Sequence, residues 1–242
     1  MTEIANRTDP PVRRVRWKRY VFGALVLLFL VLIALAPSGG SHITPAMRDS
    51  SRAARQAHAI GLLMMAYADA HDGAFPTGKS STEIFQKLVD ENHMMPSGKS
   101  YAEILEGLTQ NQPVNDPIIF WLDVPGKTRA TSAVLKPENV CWDVTVSVNR
   151  NSPGELPLVF VTGYRVTYAP GGTALPLPQT GVRPWTAVLY ANGSAYGTSI
   201  EFGIPPGLMI QSDSSVLNFI PATFNPAGKH YQQLTPDGPL AP

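Results

Sequence analysis

The longest apolar run of the chain lies near its beginning. Residues 20–36 read YVFGALVLLFLVLIALA and contain no charged side chain. As an α-helix this run covers roughly 25 Å, which is the short end of what spans a bilayer. The pattern therefore predicts a transmembrane anchor over residues 20–36. The residues on which this prediction rests include Tyr20 as an interfacial aromatic and the apolar Phe22, Leu25, Leu28, Phe29 and Leu32.

Positive charge flanks the apolar run on its N-terminal side only. The flank consists of Arg13, Arg14, Arg16, Lys18 and Arg19, with Trp17 as an interfacial aromatic. The positive-inside bias predicts that residues 1–19 form a cytoplasmic tail and that the chain beyond a linker at 37–44 lies across the membrane. The alternative is a cleaved signal peptide, because residues 34–36 have the small-x-small form of a cleavage site. Pro37 after the cut and the length of the run favour an uncleaved signal anchor.

After the linker, apolar residues recur at the spacing of a helix. A long helix is expected over residues 45–71, with Thr44 as N-cap, Pro45 at the first helical position and Gly73 beyond its end. Its apolar stripe comprises Ala53, Ala57, Ile60, Met64, Tyr67 and His71.

Capping boxes predict the starts of two shorter helices, Ser80 with Glu83 for the first and Ser100 with Glu103 for the second. The buried faces expected for them are Ile84, Phe85, Leu88 and Val89 in the first, and Tyr101, Ile104, Leu105 and Leu108 in the second.

From residue 114 the pattern changes to short β-branched and aromatic runs bounded by turn residues. Strands are predicted over residues 118–122, 140–148, 156–162, 165–168, 186–191 and 195–202. Asn192-Gly193 between two of them is a hairpin signal, because the favoured turn needs positive φ at both central residues. The predicted fold class is α+β, an antiparallel sheet packed on the long helix over residues 45–220. Residues 221–242, rich in Pro and Gly, are expected to form a tail without regular structure.

Two segments resemble bacterial pseudopilin-like proteins of the type II secretion and type IV pilin class. The first helix pattern of that group is matched by Ile60-Gly61-Leu62, Tyr67, Gly73 and Phe75-Pro76. Residues 151–160 followed by 188–194 are similar to the group's C-terminal hairpin, whose signature is His-x9-Asp-Gly. The resemblance implies a bacterial inner-membrane protein with a pseudopilin-like periplasmic domain.

The sequence departs from that family at its functional signatures. With Phe22 placed on the first mature residue, Val21 stands where the processing peptidase needs Gly, and Val26 stands where the family has Glu. In the C-terminal signature, Val182 replaces His and Asn192 replaces Asp. A chain without the prepilin processing site is expected to be a stationary subunit rather than a polymerising pilin.

The side chains that carry chemistry form no catalytic constellation in the sequence. Asp69, His71 and Asp72 are the nearest to a ligand cluster, and they are typical of a solvated helix end. The one cysteine, Cys141, lies in an apolar segment and is expected to be buried. No enzyme activity, metal or cofactor is predicted. The formal charge is +1, with much of the positive charge in the tail, so the outer domain is mildly acidic and nucleic acid is not an expected partner.

These observations lead to one functional hypothesis and two alternatives, besides an anchored hydrolase, which would need acid–base residues that converge in space from scattered positions in the sequence. The leading hypothesis is a non-enzymatic accessory subunit of a larger membrane complex (secretory, respiratory or photosynthetic), with membrane lipid and other subunits as partners. One alternative is a monomeric periplasmic module that binds a small molecule or glycan, and the other is a processed pseudopilin of a secretion system. The aromatic residues considered for an interaction surface are Trp121, Trp142, Tyr164, Tyr168 and Trp185.

Overall fold

The structure, a computed structural model, describes residues 44–110, 115–176, 185–199, 217–218, 220, 223–226 and 228–240. These residues form an α+β fold in which helices pack on an antiparallel sheet, and the predicted fold class is confirmed at that level. The predicted anchor, residues 20–36, and its basic flank lie outside the described residues. Within the described ranges, no helix has the length and apolar character needed to cross a membrane.

The long helix α1, Pro45–Ala70, begins and ends close to where the sequence predicts. The side chain of Thr44 accepts a hydrogen bond from the backbone N–H of Met47 at 3.2 Å, and Pro45 opens the helix. At the other end, Gly73 has a φ of 81° and donates its N–H to the carbonyl of Ala68 at 2.8 Å. The left-handed glycine thereby satisfies a carbonyl that the ending helix leaves open.

Two further helices follow, α2 (Ser81–Glu91) and α3 (Tyr101–Thr109). The box at α3 is complete, since Ser100 and Glu103 each accept from the other's backbone N–H. At α2, Ser80 caps the N–H of Glu83, but the Glu83 carboxylate accepts from Lys79 instead. The predicted buried face of α2 is confirmed, because Ile84, Phe85, Leu88 and Val89 are all inaccessible to solvent.

The main sheet has six antiparallel strands in the order β6-β5-β2-β1-β8-β9. Their bounds are β1 Trp142–Val146, β2 Pro157–Val161, β5 Trp185–Tyr190, β6 Ala195–Ser199, β8 Gln232–Thr235 and β9 Gly238–Pro239. Every residue of β5 is buried, as is every residue of β2. Strands with two buried faces require cover on both sides of the sheet.

One side of the sheet is covered by the helices. Helix α1 lies across β5 and β6, and α2 contacts β1 and β8. The approach of α1 is close enough to require glycine below it, since a Cβ on Gly197 would lie 2.2 Å from the carbonyl oxygen of Ser50. The absent side chain lets the helix backbone rest on strand β6.

The other side is covered by a second, three-stranded sheet in the order β3-β4-β7 and by the C-terminal segment. Its strands are β3 Tyr164–Val166, β4 Thr173–Pro176 and β7 Leu217–Asn218. The second core cluster on this side contains Phe160 and Val188 from the main sheet, with Ile220 and Phe224 from the C-terminal segment.

The β5–β6 hairpin forms where Asn192-Gly193 predicts it, but with a different turn. Gly193 has a φ of 85°, whereas Asn192 does not take positive φ. Gly193 donates to the carbonyl of Tyr190 at 2.9 Å, and Tyr190 donates to that of Ser194 at 2.8 Å. These bonds describe a three-residue connection that needs one left-handed residue, so the predicted two-residue turn is wrong.

Two further predictions of local structure are wrong. Residues 118–122 are not a strand, because Pro117–Phe120 is a 3-10 helix that begins with the Asp116 side chain accepting from the N–H of Ile118 at 2.9 Å. The segment 221–242 is not an irregular tail either. Its β8 pairs with β1, with Val144 opposite Leu234, and is therefore part of the main sheet.

Candidate functional site

A small cleft opens beside the N-terminal part of α1. Its volume is about 90 Å³, and four separate segments of the chain contribute to it. The lining residues are Asp49, Arg52, Tyr101, Leu122, Asp123 and Trp185. Two carboxylates, one guanidinium and two aromatic rings thus share a space large enough for a few water molecules.

The walls of the cleft are held by a buried amide. Gln56 on α1 is 1 % exposed, and its Nε2 donates to the carbonyls of Trp121 at 2.9 Å and Ile119 at 3.4 Å. Its Oε1 accepts from the hydroxyl of Tyr101 at 2.7 Å. One side chain therefore fixes α1, α3 and the segment after the 3-10 helix relative to one another.

The guanidinium of the exposed Arg129 lies over two aromatic rings next to this cleft. The Arg129 Cζ lies 4.6 Å from the centre of the Trp121 ring and 5.8 Å from the centre of the Tyr101 ring. The two rings meet edge to face at 5.2 Å. This arrangement has the geometry of a cation–π contact.

The charges of the cleft do not cancel. Arg52 is 3.4 Å from Asp49, one turn earlier on the same helix. Asp123 is exposed and forms no ion pair or side-chain hydrogen bond with the described residues. Burial raises the pKa of the Tyr101 hydroxyl; the Arg52 charge lowers it, and the Asp49 and Asp123 charges raise it further. The phenol is therefore neutral at physiological pH, and the lining has an excess of negative charge.

A second polar cluster is enclosed on the opposite side of the main sheet. Gln233 on β8 donates from Nε2 to the Asp143 carboxylate at 2.7 Å and to the Tyr164 carbonyl at 2.6 Å, and its Oε1 accepts from the N–H of Val166 at 3.0 Å. Nearby, the hydroxyls of Thr145 and Tyr168 lie 2.8 Å apart. Asp143 is inaccessible to solvent, so these groups join two sheets rather than face a ligand.

The five aromatic residues considered for an interaction surface do not line one open groove. Trp121, Trp142 and Trp185 belong to the core on the helix side and are 6 %, 0 % and 8 % exposed. Tyr164 is buried in the core on the other side, and the partly buried Tyr168 packs against the same cluster. Of the five, Trp185 alone lines the described cleft.

The titratable residues that the sequence analysis considered as a ligand cluster form local contacts near the end of α1. The imidazole of His71 stacks on Tyr67 at 3.9 Å and bonds the Tyr67 carbonyl at 2.8 Å through Nδ1, as expected at a helix end. The carboxylate of Asp69 pairs with Arg150. The described residues contain no group of three His, Cys, Asp or Glu side chains placed to hold a metal ion. Cys141 is buried, as predicted, and its Sγ accepts from the N–H of Leu122 at 3.2 Å.

Sequence reasoning missed the cleft and the Gln233 cluster because neither has a local signature. Asp49 and Asp123 are separated by two helices and a 3-10 turn, and Gln233 lies in a segment without alternating apolar residues. The only local sign is the run Trp121-Leu122-Asp123, in which a carboxylate directly follows two buried residues.

Comparisons with family models, with curated proteins and with solved structures give no match for this chain. The functional assignment therefore rests on the residues described above and on the sequence resemblance.

Proposed function

We propose that this protein is a non-enzymatic, membrane-anchored subunit of a larger complex in the bacterial inner membrane. Its pseudopilin-like domain would lie in the periplasm and dock on partner subunits. The observation that carries the proposal is the placement of α1. This 26-residue helix begins shortly after the apolar run and lies along an antiparallel sheet, which is the arrangement that the family resemblance implies.

The use of buried polar side chains supports a structural role. Gln56 bonds the carbonyls of Ile119 and Trp121, Ser81 bonds that of Trp142 at 2.7 Å, and Thr82 bonds that of Pro236 at 2.8 Å. Each of these bonds joins segments far apart in the chain. Because these buried hydrogen bonds hold distant segments together, the surface of the domain is rigid. A rigid surface loses little conformational entropy when it docks on a partner.

Exposed apolar residues also lie on the described surface. Leu62 on α1 is 61 % exposed, Met95 is 62 % exposed and Val134 is 66 % exposed. They belong to three separate segments of the chain, and docking is expected to use mixed polar and apolar contacts.

The test is a pull-down of the full chain from its native membranes in mild detergent. The tag is placed at the C-terminus so that the N-terminus stays natural, and mass spectrometry reads both the companions and the N-terminal peptide. We expect stoichiometric companions together with an intact N-terminus. A solitary monomer, or an N-terminus trimmed near Val21 or Ala36, would overturn the proposal in favour of a processed pseudopilin or a released binding module.

A further inference from the structure

We infer that the cleft lined by Tyr101, Trp185 and Asp123 binds the guanidinium group of an arginine side chain. The source of that arginine, a partner subunit, rests on the proposed function; the chemistry of the cleft does not.

The cleft offers acceptors in excess of donors. Asp123 has no partner among the described residues, and Asp49 has one, Arg52, at 3.4 Å. The hydroxyl of Tyr101 already donates its proton to Gln56, so its oxygen is left to accept. A ligand that bonds Asp123 and the Tyr101 oxygen must therefore bring hydrogen-bond donors, and a positive charge would balance the one carboxylate by which the lining exceeds its single guanidinium, Arg52.

The aromatic walls favour guanidinium over ammonium. A guanidinium is planar, is weakly hydrated and stacks on aromatic faces while its edge donates to carboxylates. The protein contains an example of this contact within the same group of rings, because Arg129 stacks on Trp121 and Tyr101. Trp185 at the start of β5 is itself a lining residue of the cleft and adds a second aromatic side chain to Tyr101.

The size and rigidity of the cleft suit one such group. Its volume of about 90 Å³ is sufficient for a guanidinium group. Gln56 fixes the position of Tyr101 and of the Trp121 backbone, and Leu122 and Trp185 are almost fully buried. A preformed site loses little conformational entropy on binding, so even a single side chain can be recognised.

The first experiment measures the chemistry of the cleft with a model compound. N-acetyl-argininamide is titrated into the full chain in detergent micelles, with N-acetyl-citrullinamide as the uncharged control of the same shape. The indole N–H signals of the tryptophans report binding, and the inaccessible Trp142 serves as the internal reference. We expect a saturable shift of Trp185 with a Kd on the order of 1 to 10 mM, and no saturable shift with the control.

Two matched variants connect the shift to the cleft. Asp123→Asn is expected to weaken binding about three- to five-fold, the effect of losing one exposed charge pair. Asp237→Asn removes an equally exposed carboxylate on the β8–β9 turn and is expected to leave the Kd unchanged. No saturable shift of Trp185, an equal response to both compounds, or an unchanged Kd in Asp123→Asn would each overturn the inference.

The second experiment separates the cleft from the docking role. In the membrane pull-down, Asp123→Asn should retrieve fewer companions than either wild type or Asp237→Asn. If companions are retained by Asp123→Asn, the assignment of the arginine to a partner is overturned while the subunit proposal stands. If wild type retrieves no companions, the subunit proposal is overturned, and the titration still decides the chemistry of the cleft.

Discussion

The two faces of the six-stranded sheet are covered in different ways. On one face, α1 and α2 pack over an apolar core that includes Trp142, Val144 and Leu189. On the other face, a small sheet and the C-terminal segment enclose apolar residues together with the Asp143 carboxylate and the Gln233 amide. Because strand residues alternate, Asp143 lies between Trp142 and Val144 yet faces the opposite side.

The difference shows what fixes the position of the covering layer on each face of the main sheet. A helix can approach the sheet in one register when glycine allows close backbone contact and apolar side chains fill the gap. Among the described residues, the second sheet contributes Tyr164, Val166 and Ala174 to a buried apolar cluster, but apolar contacts are not directional. Gln233 fixes the position of the second sheet on the main sheet, because its three hydrogen bonds join β8, β1 and β3.

The largest effect is expected from Gln233→Leu. This change removes both donors and the acceptor from a buried site, so the Tyr164 carbonyl, the Val166 N–H and the Asp143 carboxylate each lose one hydrogen bond. Each buried polar group deprived of its bond costs about 1–3 kcal/mol, so the free energy of unfolding should fall by about 3 kcal/mol or more. Denaturant titration of the full chain, followed by tryptophan fluorescence, measures it.

The neighbouring residue provides the control. Gln232 is exposed on the same strand, and Gln232→Leu should change the free energy of unfolding by about 0.5 kcal/mol or less. Equal effects of the two substitutions would show that the Gln233 cluster does not fix the second sheet on the main sheet. The proposed difference between the two faces of the main sheet would then be wrong.

A smaller effect is expected on the helix face from Gly197→Ala. The added Cβ would meet the Ser50 carbonyl at 2.2 Å, and a backbone atom cannot move aside as a side-chain end can. The free energy of unfolding should fall by about 2 kcal/mol, as for other overpacked sites.

Gly61→Ala is the matched comparison on α1. Its Cβ would lie 2.8 Å from the Cδ1 of Leu189, which is the flexible end of a side chain. Alanine also favours the helix by about 1 kcal/mol over glycine, so the net change should be within about 1 kcal/mol of zero. If Gly61→Ala were the more damaging of the two, side-chain packing rather than backbone approach would set the position of α1.

The helix face could be predicted from sequence far better than the other face. Each of the three helices begins at an N-cap residue that the sequence predicts: Thr44, Ser80 and Ser100. The apolar periodicity also predicts the buried stripe of α1 from Ala53 to Met64. Such signals are local because a helix satisfies its own backbone. The strand β8 has no such signal, since its assignment depends on β1, some ninety residues earlier.

Residues 118–122 show the opposite failure, in which a local signal misleads. The run Ile118 to Leu122 has the β-branched and aromatic composition of a strand, but Asp116 and Pro117 before it start a 3-10 turn. The capping bond to Ile118 and the fixed φ of proline outweigh the propensity of the following residues. This turn then delivers Trp121, Leu122 and Asp123 to the cleft, so the local error also concealed the site.

The smallest effect is expected at the N-terminal cap of α3, where the hydrogen bonds involve only residues close together in sequence. The Glu103 carboxylate accepts from the hydroxyl and the backbone N–H of Ser100, and these bonds hold its pKa below the usual range of a glutamate. A lowered pKa in the folded state gives stability that is present above the unfolded-state pKa. That stability is lost as the pH falls through the folded-state pKa.

Glu103→Gln should therefore flatten the acid side of the stability–pH profile while leaving its neutral side nearly parallel to wild type. Ser100→Ala should lower the free energy of unfolding by about 1 kcal/mol at neutral pH. It should also flatten the acid side in part, because it removes the hydroxyl that donates to the Glu103 carboxylate while the backbone N–H of residue 100 remains. The double variant should flatten the acid side no further than Glu103→Gln alone, since the titrating carboxyl is already absent. An acid limb that stays steep in Ser100→Ala would mean that the cap is not the source of the lowered pKa, and that even on the helix face a local pattern does not account for the energetics.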